Sequence, residues 1–245
     1  MPKPSSEKLL PLMEEILSLE TKARELYDDC LRTVGDKSVV DVLTWIRKDE
    51  VKHIELASEA LALIKHGPGY LRIRKGLEGF TDTSSLLLSC EIEDYFKTNM
   101  LVLKRLVNER GLKGIYVAVN KPSSSLAEAL SREGVDTGKL SFIDCATTDV
   151  EAEGVILVKP ENLTDISAAI SQLVKDIEGE KFVYLDAVST LYIFNPSNVV
   201  ERFVHHLIPR LKASKVGLIL VAVRDEMERR SLATLTAFCD MKVDM

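Results

Sequence analysis

A chain of 245 residues, with 46% hydrophobic and 29% charged residues, holds one large domain or two smaller ones with proper cores. Its formal net charge of −6 gives no electrostatic case for nucleic acid, which needs a basic face against the phosphates. The four cysteines, Cys30, Cys90, Cys145 and Cys239, form no C-x-x-C pair, and the longest apolar run, Val216 to Val223, is far too short to span a bilayer.

Two long helical patterns come first. Leu9, Met13, Ile16, Ala23, Leu26, Tyr27, Cys30 and Val34 share one helical period, and Val39, Leu43, Ile46, Ile54, Ala57, Leu61 and Ile64 share another. Gly35 ends the first helix, Asp36 or Ser38 caps the second, and Pro11 belongs to the first turn or bends the helix. The run His66-Gly67-Pro68-Gly69 closes this antiparallel hairpin, and 67–83 reads as a linker. Tyr27 and Cys30 are expected in the core.

From residue 84 onward strands alternate with helices. Strands are predicted at Leu86–Cys90, Ile115–Val119, Leu140–Asp144, Val155–Val158, Phe182–Asp186, Val216–Val223 and Met241–Asp244. Helices are predicted at Asn99–Arg110, Ser124–Ser131, Thr164–Ile177, Asn198–Lys212 and Asp225–Cys239. Short β-branched strands in this alternation mean an α/β domain, a mostly parallel sheet covered on both faces. The absence of a basic-then-apolar leader and of paired cysteines leads to the expectation of a cytoplasmic protein with no membrane partner.

Three polar residues interrupt the hairpin's apolar stripes. Glu20 lies four after Ile16, Glu50 lies four after Ile46, and His53 follows Glu50 by three, so Glu50 and His53 share one helix face. Glu20 and Glu50 each lie fifteen residues from Gly35, which puts both roughly 22 Å from the turn and level across the hairpin. A carboxylate on a buried stripe is costly unless paired or bound to metal. The plainer alternative is a solvated face, with both glutamates paired to Lys or Arg and an ordinary surface histidine. His205-His206 makes a poor shared site, because adjacent helix residues point apart.

The segments Glu20-Thr21-Lys22-Ala23-Arg24-Glu25-Leu26-Tyr27 and Asp49-Glu50-Val51-Lys52-His53 resemble half of a ferritin-like, rubrerythrin-type di-iron protein. Those bundles draw a Glu from each of two helices and Glu-x-x-His from each of two others. The resemblance covers about residues 6–66 and implies iron or manganese held by Glu20, Glu50 and His53 between two hairpins of a homodimer or higher homo-oligomer. Oxidation of Fe²⁺ or reduction of peroxide is the activity such a site implies.

The run Phe182-Val183-Tyr184-Leu185-Asp186, followed by the small-residue turn Ala187 to Leu191, resembles the Walker B strand of KaiC-like ATPases of the RecA superfamily, in which the Asp holds Mg²⁺. Element order extends this resemblance over residues 84–245. After the first strand, Glu91-Ile92-Glu93-Asp94-Tyr95-Phe96-Lys97-Thr98 keeps the Lys and Thr of G-x-x-x-x-G-K-[ST] but replaces both glycines, by Glu91 and Phe96. Glycine is needed there to turn backbone N–H groups toward phosphate. After the second strand, where that family carries paired catalytic glutamates, the chain reads Asn120-Lys121-Pro122. The expectation is a domain without ATP hydrolysis, serving assembly or partner binding, with Lys97, Thr98 and Asp186 as vestigial nucleotide residues and no Mg-ATP cofactor. The alternatives are a regulatory scaffold with no enzymatic activity and a sensor that binds nucleotide without hydrolysis.

Overall fold

The structure, a computed structural model, describes residues 6–146 and 154–245. The chain divides into two compact units, Met1–Leu71 and Arg72–Met245.

The first unit is the hairpin. Helix α1 runs Ser6–Thr33 with Pro11 inside it near its start, and α2 runs Lys37–His66. Asp36 caps α2, its carboxylate accepting from Ser38 N at 2.9 Å and Val39 N at 3.2 Å. Gly67, at φ 71°, ends it by donating to Leu63 O, a conformation that glycine adopts without strain.

Two seams run along each helix. The inner seams are Leu9, Met13, Leu17, Glu20, Arg24, Tyr27 and Leu31 on α1, and Val40, Leu43, Arg47, Glu50, Ile54, Ala57 and Leu61 on α2, all partly buried except Ala57. Among the described residues of the hairpin only Ala57 is buried. The outer seam is apolar as well: Leu12, Ile16, Leu19 and Leu26 on α1, and Val39, Val42 and Leu56 on α2, are all exposed. The sequence pattern had merged the two seams. Ile16 and Leu26 lie on the outer one, and Cys30 is exposed rather than in the core.

The second unit is a seven-stranded sheet in the order β4-β3-β2-β5-β6-β1-β7, with every pairing parallel. The strands are β1 Ser85–Cys90, β2 Lys113–Ala118, β3 Leu140–Asp144, β4 Ile156–Leu157, β5 Lys181–Asp186, β6 Gly217–Val223 and β7 Met241–Asp244. The helices are α3 Gly69–Glu78, α4 Tyr95–Leu103, α5 Ser123–Arg132, α6 Leu163–Asp176, α7 Val188–Phe194, α8 Ser197–Ala213 and α9 Arg229–Phe238. Successive strand residues point to opposite faces. Leu87, Ile115, Val117, Val183, Leu185, Leu218 and Leu220 pack with residues of α6 and α8 in one core. Tyr116, Phe182 and Tyr184 are fully buried on the other face, the two tyrosine rings 5.2 Å apart.

Several elements differ from the sequence expectation. The stretch read as a linker contains α3, which straddles the unit boundary and buries Ile73 and Leu77. Its glycines and short length had hidden that apolar spacing. Of Ala187 to Leu191, read as a turn, Ala187 caps α7 and Val188 to Leu191 form its first part. The helix expected at Asn99 begins at Tyr95, directly after a 3-10 turn at Ile92–Asp94, and ends in a π-helical stretch, Lys104–Glu109. The helix expected from Asp225 is split into a 3-10 turn and α9. No helix among the described residues is long and apolar enough to cross a membrane.

Candidate metal centre and sheet-edge crevice

The hairpin brings Glu20, Glu50 and His53 together. One ligand atom from each lies within 4.8 Å of the others. His53 Nδ1 is 3.6 Å from Glu20 Oε2 and 3.7 Å from Glu50 Oε2. Helical geometry explains the convergence. Glu20 and Glu50 are level on facing inner seams, and His53 rises one turn along from Glu50 on the same side.

The set is electrostatically strained. Glu50 Oε2 is buried with no hydrogen-bond partner. The Glu20 carboxylate, with which Glu50 can share a proton, pushes the Glu50 carboxyl above the ordinary range; burial adds to this and His53 works against it. Asp49, which the sequence reading passed over, completes the arrangement. Its Oδ2 is 3.5 Å from His53 Nε2, so the imidazole stands between a carboxylate pair on one side and Asp49 on the other. An acidic residue four before a histidine on a helix was the signal for it. Elsewhere on the hairpin Arg47 pairs with Asp28, and Lys65 Nζ with Glu14 Oε1 at 2.8 Å, while Arg24 Nε is buried without a hydrogen-bond partner.

The second place where sequence suggested chemistry is the carboxyl edge of the sheet. Asp186 ends β5 and is 2% exposed. Its Oδ1 accepts from the Tyr95 hydroxyl at 2.5 Å, and its Oδ2 accepts from the Tyr116 hydroxyl. Asn120 Nδ2 donates to the Tyr95 oxygen at 3.1 Å, and the Thr190 hydroxyl donates to Asn120 Oδ1. Burial pushes the Asp186 carboxyl up, while the bonds from Tyr116 and Tyr95 oppose that.

Lys97 and Thr98, grouped with Asp186 by the sequence, do not join this network. Both sit on α4. Lys97 is exposed, and no described hydrogen bond or ion pair ties it to Asp186. Thr98 is fully buried, its hydroxyl without a partner. Glu91, in place of the first loop glycine, is held by Arg224, whose Nε donates to Glu91 Oε1 at 2.7 Å. Tyr95 was the residue that sequence reasoning missed, since a tyrosine at an apolar position reads as core.

The His205 and His206 rings are 5.7 Å apart and nearly perpendicular, and His205 packs on Phe238.

The family model for the ATPase KaiC matches residues 89–239, well over half of the chain. The sheet unit is similar in fold to a KaiC-like protein from the hyperthermophilic archaeon Pyrococcus horikoshii OT3. The TM-score is 0.52 at 15% identity, over 68% of this chain and 72% of that one. No curated protein matches the chain.

Proposed function

The chain belongs to the KaiC ATPase family, and we propose that its KaiC-like domain, without ATP hydrolysis, is fused to a hairpin that forms a di-iron or di-manganese site with the hairpin of a second chain. The observation that supports it best is the meeting of two carboxylates and an imidazole around a buried Glu50 Oε2 that has no hydrogen-bond partner. Hard oxygen donors with a single nitrogen suit Fe²⁺ or Mn²⁺. A divalent ion would neutralise the Glu20–Glu50 repulsion and satisfy that oxygen. Asp49 would hold the His53 Nε2–H, leaving Nδ1 turned toward the carboxylates, as carboxylates commonly do for ligating histidines.

The outer seam supports the two-chain form. On both helices every outer residue immediately precedes an inner one: Leu12 before Met13, Ile16 before Leu17, Val42 before Leu43, Leu56 before Ala57. The outer seam is therefore turned by about 100° in one sense about each helix's own axis. The helices are antiparallel, so equal rotations about opposed axes bring both outer seams to the same side of the hairpin. His53, which precedes Ile54, lies on that side too. A second hairpin laid there would cover the apolar stripe and bring a second set of ligands to the first, giving twice the two carboxylates and one imidazole of each chain.

In the ATPase-like domain, Glu91 and Phe96 at the loop glycine positions and Asn120 in place of a catalytic carboxylate support the reading that hydrolysis is lost. The domain then serves assembly or the binding of a protein partner. Iron bound with an open position would open Fe²⁺ oxidation or peroxide reduction to the hairpin.

The deciding experiment is elemental analysis of protein made in iron-supplemented medium, beside Glu20→Ala, Glu50→Ala, His53→Ala and a Glu25→Ala control. Iron or manganese is expected in the parent and the control and lost in the other three. Equal metal content in all five would leave the hairpin with a structural role alone. In parallel, no Mg-ATP hydrolysis is expected above a Lys97→Ala background.

A further inference from the structure

The hydrogen bonds around Asp186 point to more than lost hydrolysis. A nucleotide-bound magnesium in this fold needs the carboxylate at the end of β5 to face an open crevice. It also needs a glycine loop after β1 whose N–H groups point at phosphate. In this chain both requirements are met by something else.

Each oxygen of Asp186 already accepts a phenolic hydrogen bond, one from Tyr95 and one from Tyr116. Tyr95 is itself 8% exposed and is the first residue of α4, where a phosphate loop would deliver the chain into its helix. Its oxygen is held in turn by Asn120 at the end of β2, and Asn120 by Thr190 of α7. These five residues, Asp186, Tyr95, Tyr116, Asn120 and Thr190, join β2 and β5 to α4 and α7.

A second tie closes the other side of the same segment. Arg224, just past β6, grips Glu91 through Nε at 2.7 Å and Nη2 at 2.5 Å. The same guanidinium donates to Ser89 O at 3.2 Å and to Met245 O at 2.6 Å. The residues from 91 to 95 thus have no slack as a loop. They form a 3-10 turn anchored at Glu91 and at Tyr95.

We infer that the nucleotide crevice is shut by the chain's own side chains: Tyr95 and Tyr116 take the Asp186 oxygens that magnesium would use, and the Asp186–Tyr95 and Arg224–Glu91 ties make this edge a structural joint that admits neither ATP nor ADP. The inference concerns binding and goes beyond the reading that hydrolysis is lost. Asp186 acts here as the acceptor that pins α4 to the sheet. Satisfied phenol–carboxylate bonds in a buried site are strong, and leaving one oxygen unpaired there is costly.

The test uses the full chain in four forms: parent, Tyr95→Phe, Asp186→Asn and the double variant. Isothermal titration calorimetry and thermal melts are run with Mg-ATP and with Mg-ADP, and phosphate release is followed separately. The parent is expected to give no binding heat and no nucleotide-dependent rise in melting temperature. Without nucleotide, each single variant should melt lower by roughly 3–10 °C. The loss in the double variant should be smaller than the sum of the two single losses, because the singles share the Tyr95–Asp186 bond. Tyr95→Phe keeps the ring, so it remains informative if Asp186→Asn fails to fold. Nucleotide binding by the parent, or a Tyr95→Phe variant as stable as the parent, would overturn the inference. Binding without phosphate release would leave the hydrolysis reading standing, whereas release above background would remove both.

Discussion

At Glu50 two unfavourable terms meet: the side chain is 15% exposed, and Glu20 faces it across the hairpin. Replacing it with glutamine removes the repulsion while keeping the shape. Glu50→Gln is therefore expected to lose metal yet melt no lower than the metal-free parent. Its pH dependence has a definite sign. A carboxyl raised above its unfolded value contributes stability that is present at acid pH and lost as pH rises through the folded pKa. The metal-free parent should gain stability on acidification into the upper carboxylate range relative to Glu50→Gln. Melts of both proteins across that range, with chelator present, check this; parallel curves would show that the two glutamates do not interact. The legible residues at this scale were Glu20, Glu50 and His53, because a charge on an apolar stripe stands out against the helical period. Tyr95 and Tyr116 were not legible. Their hydroxyls find Asp186 at sequence separations of 91 and 70, and nothing local marks a tyrosine as a hydrogen-bond donor rather than as core.

Among the elements, the strands were read closely because each is a short apolar run bounded by polar or turn residues, and a sheet buried on both faces writes that pattern directly. Two short helices were missed: α3 carries Gly69 and Gly76 in a stretch that read as a linker, and α7 spans only seven residues after a strand end that read as a turn. What joins these elements is visible only in three dimensions. A Cβ on Gly217, at the start of β6, would lie 2.6 Å from Phe80 Cζ and 2.7 Å from the backbone oxygen of Thr81. Backbone cannot yield as a side-chain tip can, so Gly217→Ala should cost about 1–3 kcal/mol. Gly35→Ala, which meets nothing within 4 Å, serves as the neutral comparison in chemical denaturation.

A second tie holds β7 to β1. Burial pushes the Asp240 carboxyl up, but bonds from Lys212 Nζ at 2.6 Å, Ser85 Oγ at 2.7 Å and Ser85 N at 2.8 Å more than offset it and hold the pKa at about 2. A depressed carboxyl contributes stability above its unfolded value of 3.8 that is lost as pH falls toward 2. The side chain is 45% exposed, so solvent screening leaves about 1 kcal/mol at neutral pH. Asp240→Asn should be less stable than the parent by that amount at pH 7, and the gap should close between pH 4 and 2. A gap that persisted at the acid end would assign the tie to packing rather than charge.

For the molecule as a whole, the contrast between the two units sets the last prediction. The sheet unit buries both faces of seven strands and has a complete core of its own. The hairpin has one buried residue among those described and exposes Leu12, Leu19 and Leu26, at 56%, 61% and 58%, along one line. A two-helix unit of that kind lacks the buried apolar surface to offset the entropy of ordering it. Covering the outer seam supplies that surface, at about 25 cal/mol per Å² of apolar area removed from water. Full-length protein is therefore expected to be at least dimeric by light scattering. Residues 72–245 alone should stay folded and associate less. Leu12→Ser, Leu19→Ser and Leu26→Ser together should reduce association and helical content, since they change the outer seam and leave the inner one intact. Added Fe²⁺ under anaerobic conditions should raise the melting temperature of the full-length chain by an amount that grows with free metal, and should not do so in the seam variant. An unchanged oligomeric state in both the truncated chain and the seam variant would mean that the hairpin is not the assembly device. Metal stabilisation surviving in a monomeric seam variant would place the whole site within a single hairpin.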